Sequence, residues 1–224
     1  MARKFDPADL PPSPDLCFEC ELWAKGFAAV AGLDEAGRGA WAGPVSAGAV
    51  IFPPNAGLVT LLPGVRDSKQ MTPSAREFWA GEIRAQATAW AVGFASNVEI
   101  DALGIVPATR LAMQRAVAGL TISPEYLLID ALLLPGLSLP QMNLIKGDAR
   151  ALSIAAASVL AKTARDAYMR DLAALYPGYD LERHKGYGTA MHAEALEKIG
   201  PCAIHRYSFA PVRQAGAIME NDSE

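Results

Sequence analysis

Phe27-Ala28-Ala29-Val30-Ala31-Gly32-Leu33-Asp34-Glu35-Ala36-Gly37-Arg38-Gly39 sets the reading of the whole chain. A short apolar run bounded by turn residues is the pattern of a buried strand, and this one leads into two acids. Neighbouring residues of a strand face opposite ways, so Asp34 and Glu35 can serve one site only where the strand ends or bends. Gly37-Arg38-Gly39 supplies that bend. Tyr126-Leu-Leu-Ile-Asp130 repeats the pattern, as does Met142-Asn-Leu-Ile-Lys146, with Asp148 two residues beyond it. In open α/β sheets sites assemble at the C-terminal ends of strands, so if these three strands are neighbours, four carboxylates converge. Such a cluster repels itself and carries raised pKa values or binds cations. Oxygen ligands without a histidine-rich set favour Mg²⁺ or Mn²⁺ over zinc, and two such ions about 4 Å apart can bind the attacking and leaving oxygens of a phosphodiester. Taken singly, Asp148 could equally cap the helix after it, and Asp130 could be a strand-end turn residue.

Around this nucleus Pro44–Phe52 reads as a second strand and Ala91–Val98 as a third. Thr72-Pro73 has the N-cap and first-turn proline of a helix running to about Ala89. Pro107 opens another, ending near Ala118. Ala151–Leu175 and Thr189–Ile199 are helical, the latter closed by Gly200. Strands followed by strand–helix alternation imply an α/β fold, a mixed sheet with helices on its faces. Residues 1–26 carry Pro7, Pro11, Pro12 and Pro14 and read as a flexible N-terminal arm. The catalytic body spans 27–165, a helical C-terminal segment 166–213, and an acidic disordered tail 214–224.

The 224 residues are 51% hydrophobic and 20% charged, which excludes a disordered or collagen-like chain. No apolar run nears the roughly 18 residues of a membrane span, and the N-terminus lacks the apolar core of a signal peptide. The expectation is a cytoplasmic, monomeric protein. Charge is uneven: residues 146–213 hold 10 Lys and Arg against 7 Asp and Glu, whereas the remainder hold 10 against 17. A basic segment beside acidic ends of strands suits an acidic site acting on a polyanion. Three cysteines cannot form a disulfide framework. Cys17-x-x-Cys20 with Cys202-x-x-His205 has the donors of a structural zinc clip; unpaired thiols in a reducing compartment are the alternative. Gly37-x-Gly39-x-x-x-Gly43 hints at a dinucleotide loop, but the acids before it and the strand after it argue otherwise.

Asp34-Glu-Ala-Gly-Arg-Gly39, Ala42-Gly-Pro-Val45, Asp67-Ser-Lys69, Lys146-Gly-Asp148, Ser153–Ser158 with Leu160-Ala-Lys162, His184-Lys-Gly-Tyr-Gly-Thr189 and His205–Val212 together resemble the ribonuclease HII family over roughly residues 27–213. The resemblance implies a ribonuclease H-like mixed five-stranded sheet and an endonuclease that hydrolyses the RNA strand of RNA–DNA hybrids. It further implies nicking of DNA 5′ of embedded ribonucleotides by two-metal-ion hydrolysis, leaving 3′-hydroxyl and 5′-phosphate ends, in ribonucleotide and RNA-primer removal. By motif, Asp34, Glu35, Asp130 and Asp148 would be the catalytic ligands of two Mn²⁺ or Mg²⁺ ions. Gly37, Arg38 and Gly39 would meet the ribose 2′-hydroxyl, the group that separates RNA from DNA, and Tyr187 would stack on the sugar after the ribonucleotide. Gly37→Ala would then chiefly weaken ribose discrimination. Lys69, Lys162 and Arg165 are the phosphate-contact candidates, with Lys162 and Arg165 three apart on one helix face. His184 and His205 read as structural hydrogen-bonding groups. Two departures stand out: Ala40-Trp41 where the family usually has Pro-Leu, and Ala131 after Asp130 where it commonly has Gly. The larger HIII relatives carry an extra N-terminal domain that 26 residues cannot supply. A non-catalytic hybrid binder on the same fold is the competing class, which clustered acids do not favour.

Overall fold

The computed structural model describes residues 10–221. In chain order the elements are α1 (Cys17–Ala24), β1 (Val30–Ala36), β2 (Val45–Ile51), α2 (Leu58–Leu61), α3 (Pro73–Gln86), β3 (Ala89–Ala95), α4 (Asn97–Leu103), α5 (Ile105–Ala118), β4 (Tyr126–Asp130), β5 (Gln141–Leu144), α6 (Leu152–Leu175), α7 (Leu181–His184), α8 (Ala190–Ile199) and α9 (Ala210–Asn221). Two short 3-10 turns, Ser68–Gln70 and Gly147–Ala149, border the site described below.

The five strands form one mixed sheet in the order β3-β2-β1-β4-β5. β1 and β2, and β2 and β3, pair antiparallel; β4 and β5 run parallel to β1. The parallel register pairs Leu33 with Ile129 and Asp130 with Leu144, so Asp34 and Asp130 stand one step beyond the last β1–β4 pair. The strands read from the sequence as leading into acids are thus neighbours.

One sheet face buries Ala31, Leu33, Ala47, Leu127 and Ile129 beneath Ala112, Met113 and Ala116 of α5. The other buries Val50 and Phe52 against Leu152, Ala155, Val159 and Leu160 of α6 and against α3. The alanine-rich face of α6 lies close on the strands: a β-carbon on Gly48 would fall 2.3 Å from the Ala157 carbonyl oxygen, so only glycine admits the helix there. Thr72 caps α3 by accepting from the Ala75 N–H, and Thr189 caps α8 by accepting from that of His192. The unforeseen α4 is closed by a reciprocal capping box, Ser96 with Glu99.

Three sequence-based boundaries change. Residues 17–24 are a packed helix rather than part of an arm: Leu16 and Leu22 are buried, and the Glu19 carboxylate accepts from the Ser153 N–H (2.9 Å) and hydroxyl (2.6 Å) at the start of α6. This supplies the side-chain cap that Ala151 cannot. Residues 1–9 lie outside the described residues. The expected division at 165/166 falls inside α6, which is continuous for 24 residues and carries Met169 into the core of the C-terminal segment. The tail expected from residue 214 is helical through Asn221 as part of α9; Asp222–Glu224 lie outside the described residues. Among the described residues no helix is long and apolar enough to cross a membrane.

Candidate active site

Asp34 is buried near the end of β1, its Oδ1 accepting the Glu35 N–H at 2.7 Å. Asp130 ends β4, and its Oδ1 accepts the Gly147 N–H at 2.7 Å, tying it to the turn that carries Asp148. The strand does not stop at the acids: β1 runs on to Ala36, and the bend follows at Gly37, whose φ is +93°.

These carboxylates feel one another. Burial, then the charges of Glu35 and Asp130, push the Asp34 carboxyl well above the ordinary carboxylate range, outweighing the Ser158 hydroxyl's pull. Burial raises Asp130 against the opposing Gly147 hydrogen bond, and burial with the Asp130 charge raises Asp148. Burial works against the ammonium of Lys69, but the charges of Asp34, Asp67, Asp148 and Glu35 carry its pKa upward.

Asp34 Oδ2 and Glu35 Oε2 are buried and have no hydrogen-bond partner, a costly state for carboxylate oxygens unless a cation completes it. The donor set is entirely oxygen, as Mg²⁺ and Mn²⁺ prefer. Among the described residues no three His, Cys, Asp or Glu side chains close around one point. As placed, these side chains form no closed cage, and the fit to a hard ion rests on the donor type and on the two unpaired oxygens. The donors present therefore fit a divalent cation of this kind.

Against Glu35 lies a cavity of about 220 Å³ lined by Gly37, Arg38, Gly39, Ser68, Lys69, Lys162 and Tyr187. Arg38 bridges to Glu35 at 3.2 Å and stays partly exposed. Lys162 pairs with Asp166 at 2.7 Å and stands 5.1 Å from the Tyr187 ring centroid. Ser68 was not singled out by the sequence reading, although it lies within the quoted Asp67-Ser-Lys69; its hydroxyl meets that of Ser158 at 2.9 Å.

Arg165 corrects the sequence reading. It is fully buried, and its guanidinium donates to the carbonyls of Pro44 (2.8 Å), Lys185 (2.9 Å) and Ala42 (3.1 Å). The i, i+3 relation to Lys162 holds, but Arg165 points inward and offers no phosphate contact. It also bears on Gly37, where a β-carbon would fall 2.0 Å from Arg165 Nε on backbone already in the left-handed region. Gly37→Ala would therefore disrupt packing as well as any substrate contact, whereas a β-carbon on Gly39 meets nothing within 4 Å. Arg206 is a second buried arginine, donating to Gly43 O and Arg38 O at 2.9 Å each. Burial, then the charge of Arg165, lowers it to about 9.

The two departures acquire physical reasons. Ala131 has φ +52°, a conformation that favours glycine and costs an alanine about 1 kcal/mol. Trp41 packs beside the His192 ring, centroids 5.4 Å apart, and fills the space over Gly188. The four residues of the expected zinc clip do not converge: Cys20 packs against the α3–α6 core and Cys202 against the C-terminal core, and among the described residues they form no metal-holding group.

A family model described as Ribonuclease HII matches residues 31–212. A curated ribonuclease HII from Dehalococcoides mccartyi is 50% identical over 205 residues, covering 89% of this chain and 94% of that protein. The crystal structure of ribonuclease H2 from Pyrococcus horikoshii OT3 superposes with a TM-score of 0.70 at 25% identity, covering 85% of this chain and 98% of that one. Bst-RNase HIII in complex with Mn²⁺ shares the fold, with a TM-score of 0.64 at 22% identity over 86% of this chain and 70% of that one.

Proposed function

The chain belongs to the ribonuclease HII family, and from that premise we propose that it nicks DNA on the 5′ side of embedded ribonucleotides as well as cutting the RNA strand of hybrids. The coarser activity comes with the family: it is a divalent-metal-dependent endonucleolytic ribonuclease H acting on RNA–DNA. In this reading Asp34, Glu35, Asp130 and Asp148 hold two Mg²⁺ or Mn²⁺ ions. When bound, such ions supply the charge that acidifies an attacking water and neutralises the leaving 3′-oxygen. The chain's own groups do the rest.

Gly37, Arg38 and Gly39 bring backbone and a guanidinium to the ribose 2′-hydroxyl, and Gly39 leaves room for the closest approach. Lys69 and Lys162 grip phosphates, which fixes position without reading sequence, as removal of misplaced ribonucleotides requires. Tyr187 lies against the next sugar. The observation that supports this most is one cavity lined at once by Glu35, the Gly-Arg-Gly loop, both lysines and Tyr187, beside carboxylates with buried unpaired oxygens.

The test is cleavage of a labelled duplex containing one ribonucleotide, beside an all-DNA duplex and a long hybrid, with Mn²⁺, with Mg²⁺ and in chelator. A metal-dependent nick 5′ of the ribonucleotide, with the all-DNA control intact, is expected. Cleavage of the long hybrid alone would remove the loop's recognition of a lone 2′-hydroxyl. Binding without cleavage under either metal would overturn the catalytic reading.

A further inference from the structure

Behind the Tyr187 turn, the chain's three histidines pack against one another. His192 and His205 are wholly buried, and their hydrogen bonds run in one direction. His192 Nδ1 lies 3.0 Å from the Tyr187 carbonyl oxygen. A carbonyl only accepts, so Nδ1 carries the proton and Nε2 is left as an acceptor. His205 Nε2 lies 3.0 Å from that nitrogen and must be the donor. His205 Nδ1 is then an acceptor, and the Cys202 N–H donates to it at 3.0 Å. The Cys202 carbonyl, 3.2 Å from the same nitrogen, would need a proton there, and that would set two lone pairs face to face between the rings.

His184 forms a shelf beneath the chain. It stacks on His192 at 4.5 Å and 16°, with its own ring nitrogens engaged by Tyr179 O and the Gly186 N–H. Burial, the largest influence on each, lowers both His192 and His205 to about 4, so both rings stay neutral at neutral pH and the direction is preserved.

The Tyr187 carbonyl also accepts from the Thr189 N–H at 2.9 Å, so both its lone pairs are used. Residue 187 bridges to Ala40, immediately after the Gly-Arg-Gly loop, and its ring lies over Lys162 and Arg165. We infer that His192 is a positioning residue for Tyr187: its Nδ1–H, set in that tautomer by the chain that runs from the Cys202 amide through His205, fixes the turn that presents the tyrosine ring to the sugar. This rests on the sugar-contacting role proposed for Tyr187.

Two measurements on the full chain test it. Nitrogen-15 NMR of labelled histidine should show His192 in the Nδ1–H form and His205 in the Nε2–H form; the opposite assignment of either overturns the inference. The second compares single-turnover cleavage of the one-ribonucleotide duplex with that of a long hybrid, as a ratio. His192→Asn sets an amide N–H where Nδ1–H stands and should keep the wild-type ratio. His192→Gln directs its amide toward His205 and leaves the Tyr187 carbonyl without that donor, which should lower the ratio roughly five-fold, the size of one hydrogen bond. Equal losses on both substrates at an unchanged melting temperature overturn the positioning role. Tyr187→Ala reports on the reading beneath: an unchanged ratio there sinks the ring's role and this inference with it. A lowered ratio in Tyr187→Ala beside an unchanged one in His192→Gln overturns the histidine chain alone.

Discussion

On one side of the Glu35–Gly39 segment stand Asp34, Asp130 and Asp148, crowded and raised, with the unpaired buried oxygens of Asp34 and Glu35 among them. On the other, Arg165 and Arg206 are more deeply buried than these acids yet make no ion pair among the described residues; five of their guanidinium hydrogen bonds go to backbone carbonyls. Asp34 and Glu35 are left with incomplete oxygens, which on the proposed function a cation would complete. The arginines are almost complete, with only Arg206 Nη2 lacking a partner, so they shape the loop whether or not substrate is present. On the proposed function the acids bind and the arginines hold.

Asp34→Asn should break the binding side most severely, cutting turnover roughly a thousand-fold or more. Hybrid affinity, measured by fluorescence anisotropy in Mg²⁺, should persist. Unchanged turnover would remove Asp34 from the chemistry. Arg165→Met attacks the other side by stripping three carbonyls of a donor; denaturant unfolding should show a loss of about 3 kcal/mol, with the metal concentration for half-maximal rate unmoved. Loss of metal response with stability intact would invert the comparison.

Divalent ions should stabilise the wild type, by about 2.7 kcal/mol at a hundred times the dissociation constant, and Asp34→Asn much less. An equal rise in melting temperature for both would show that Asp34 holds no ion. The metal-free protein offers a sharper form of this test. The raised Asp34 carboxyl binds its proton more tightly folded than unfolded, so above its ordinary value its contribution to stability falls as pH rises and is fully lost beyond the raised value. Measured in chelator, the stability of wild type relative to Asp34→Asn should therefore decline with increasing pH; a flat or rising difference would contradict the crowding. Ala131→Gly is the mildest change. Relief of the left-handed backbone should stabilise the fold by roughly 0.5–1 kcal/mol, seen as a small rise in melting temperature.

The convergence of the acids was legible in the sequence because they follow apolar runs, and parallel pairing of β4 with β1 and β5 brings the ends of those runs together. The holding side was not. Spacing put Lys162 and Arg165 on one helix face without saying that Arg165 turns under the loop, because a 3.6-residue period does not reveal which flank meets another chain segment. Arg206 lies within the His205–Val212 motif, yet its spacing assigns it no role. The α1 helix was obscured by the prolines before it, and the burial of Glu19 depends on the start of α6, more than a hundred residues away. The Ser96–Glu99 capping box is itself a local sequence signal for α4.

The most direct test of the division between binding and holding is single-turnover cleavage of the one-ribonucleotide duplex across a Mn²⁺ titration, by wild type, Asp148→Asn and Gly39→Ala. Gly39→Ala adds a β-carbon to open space facing the cavity. It should lower the saturating rate without shifting the metal midpoint, and Asp148→Asn should shift the midpoint to higher Mn²⁺. A midpoint moved by Gly39→Ala, or left in place by Asp148→Asn, would contradict the account.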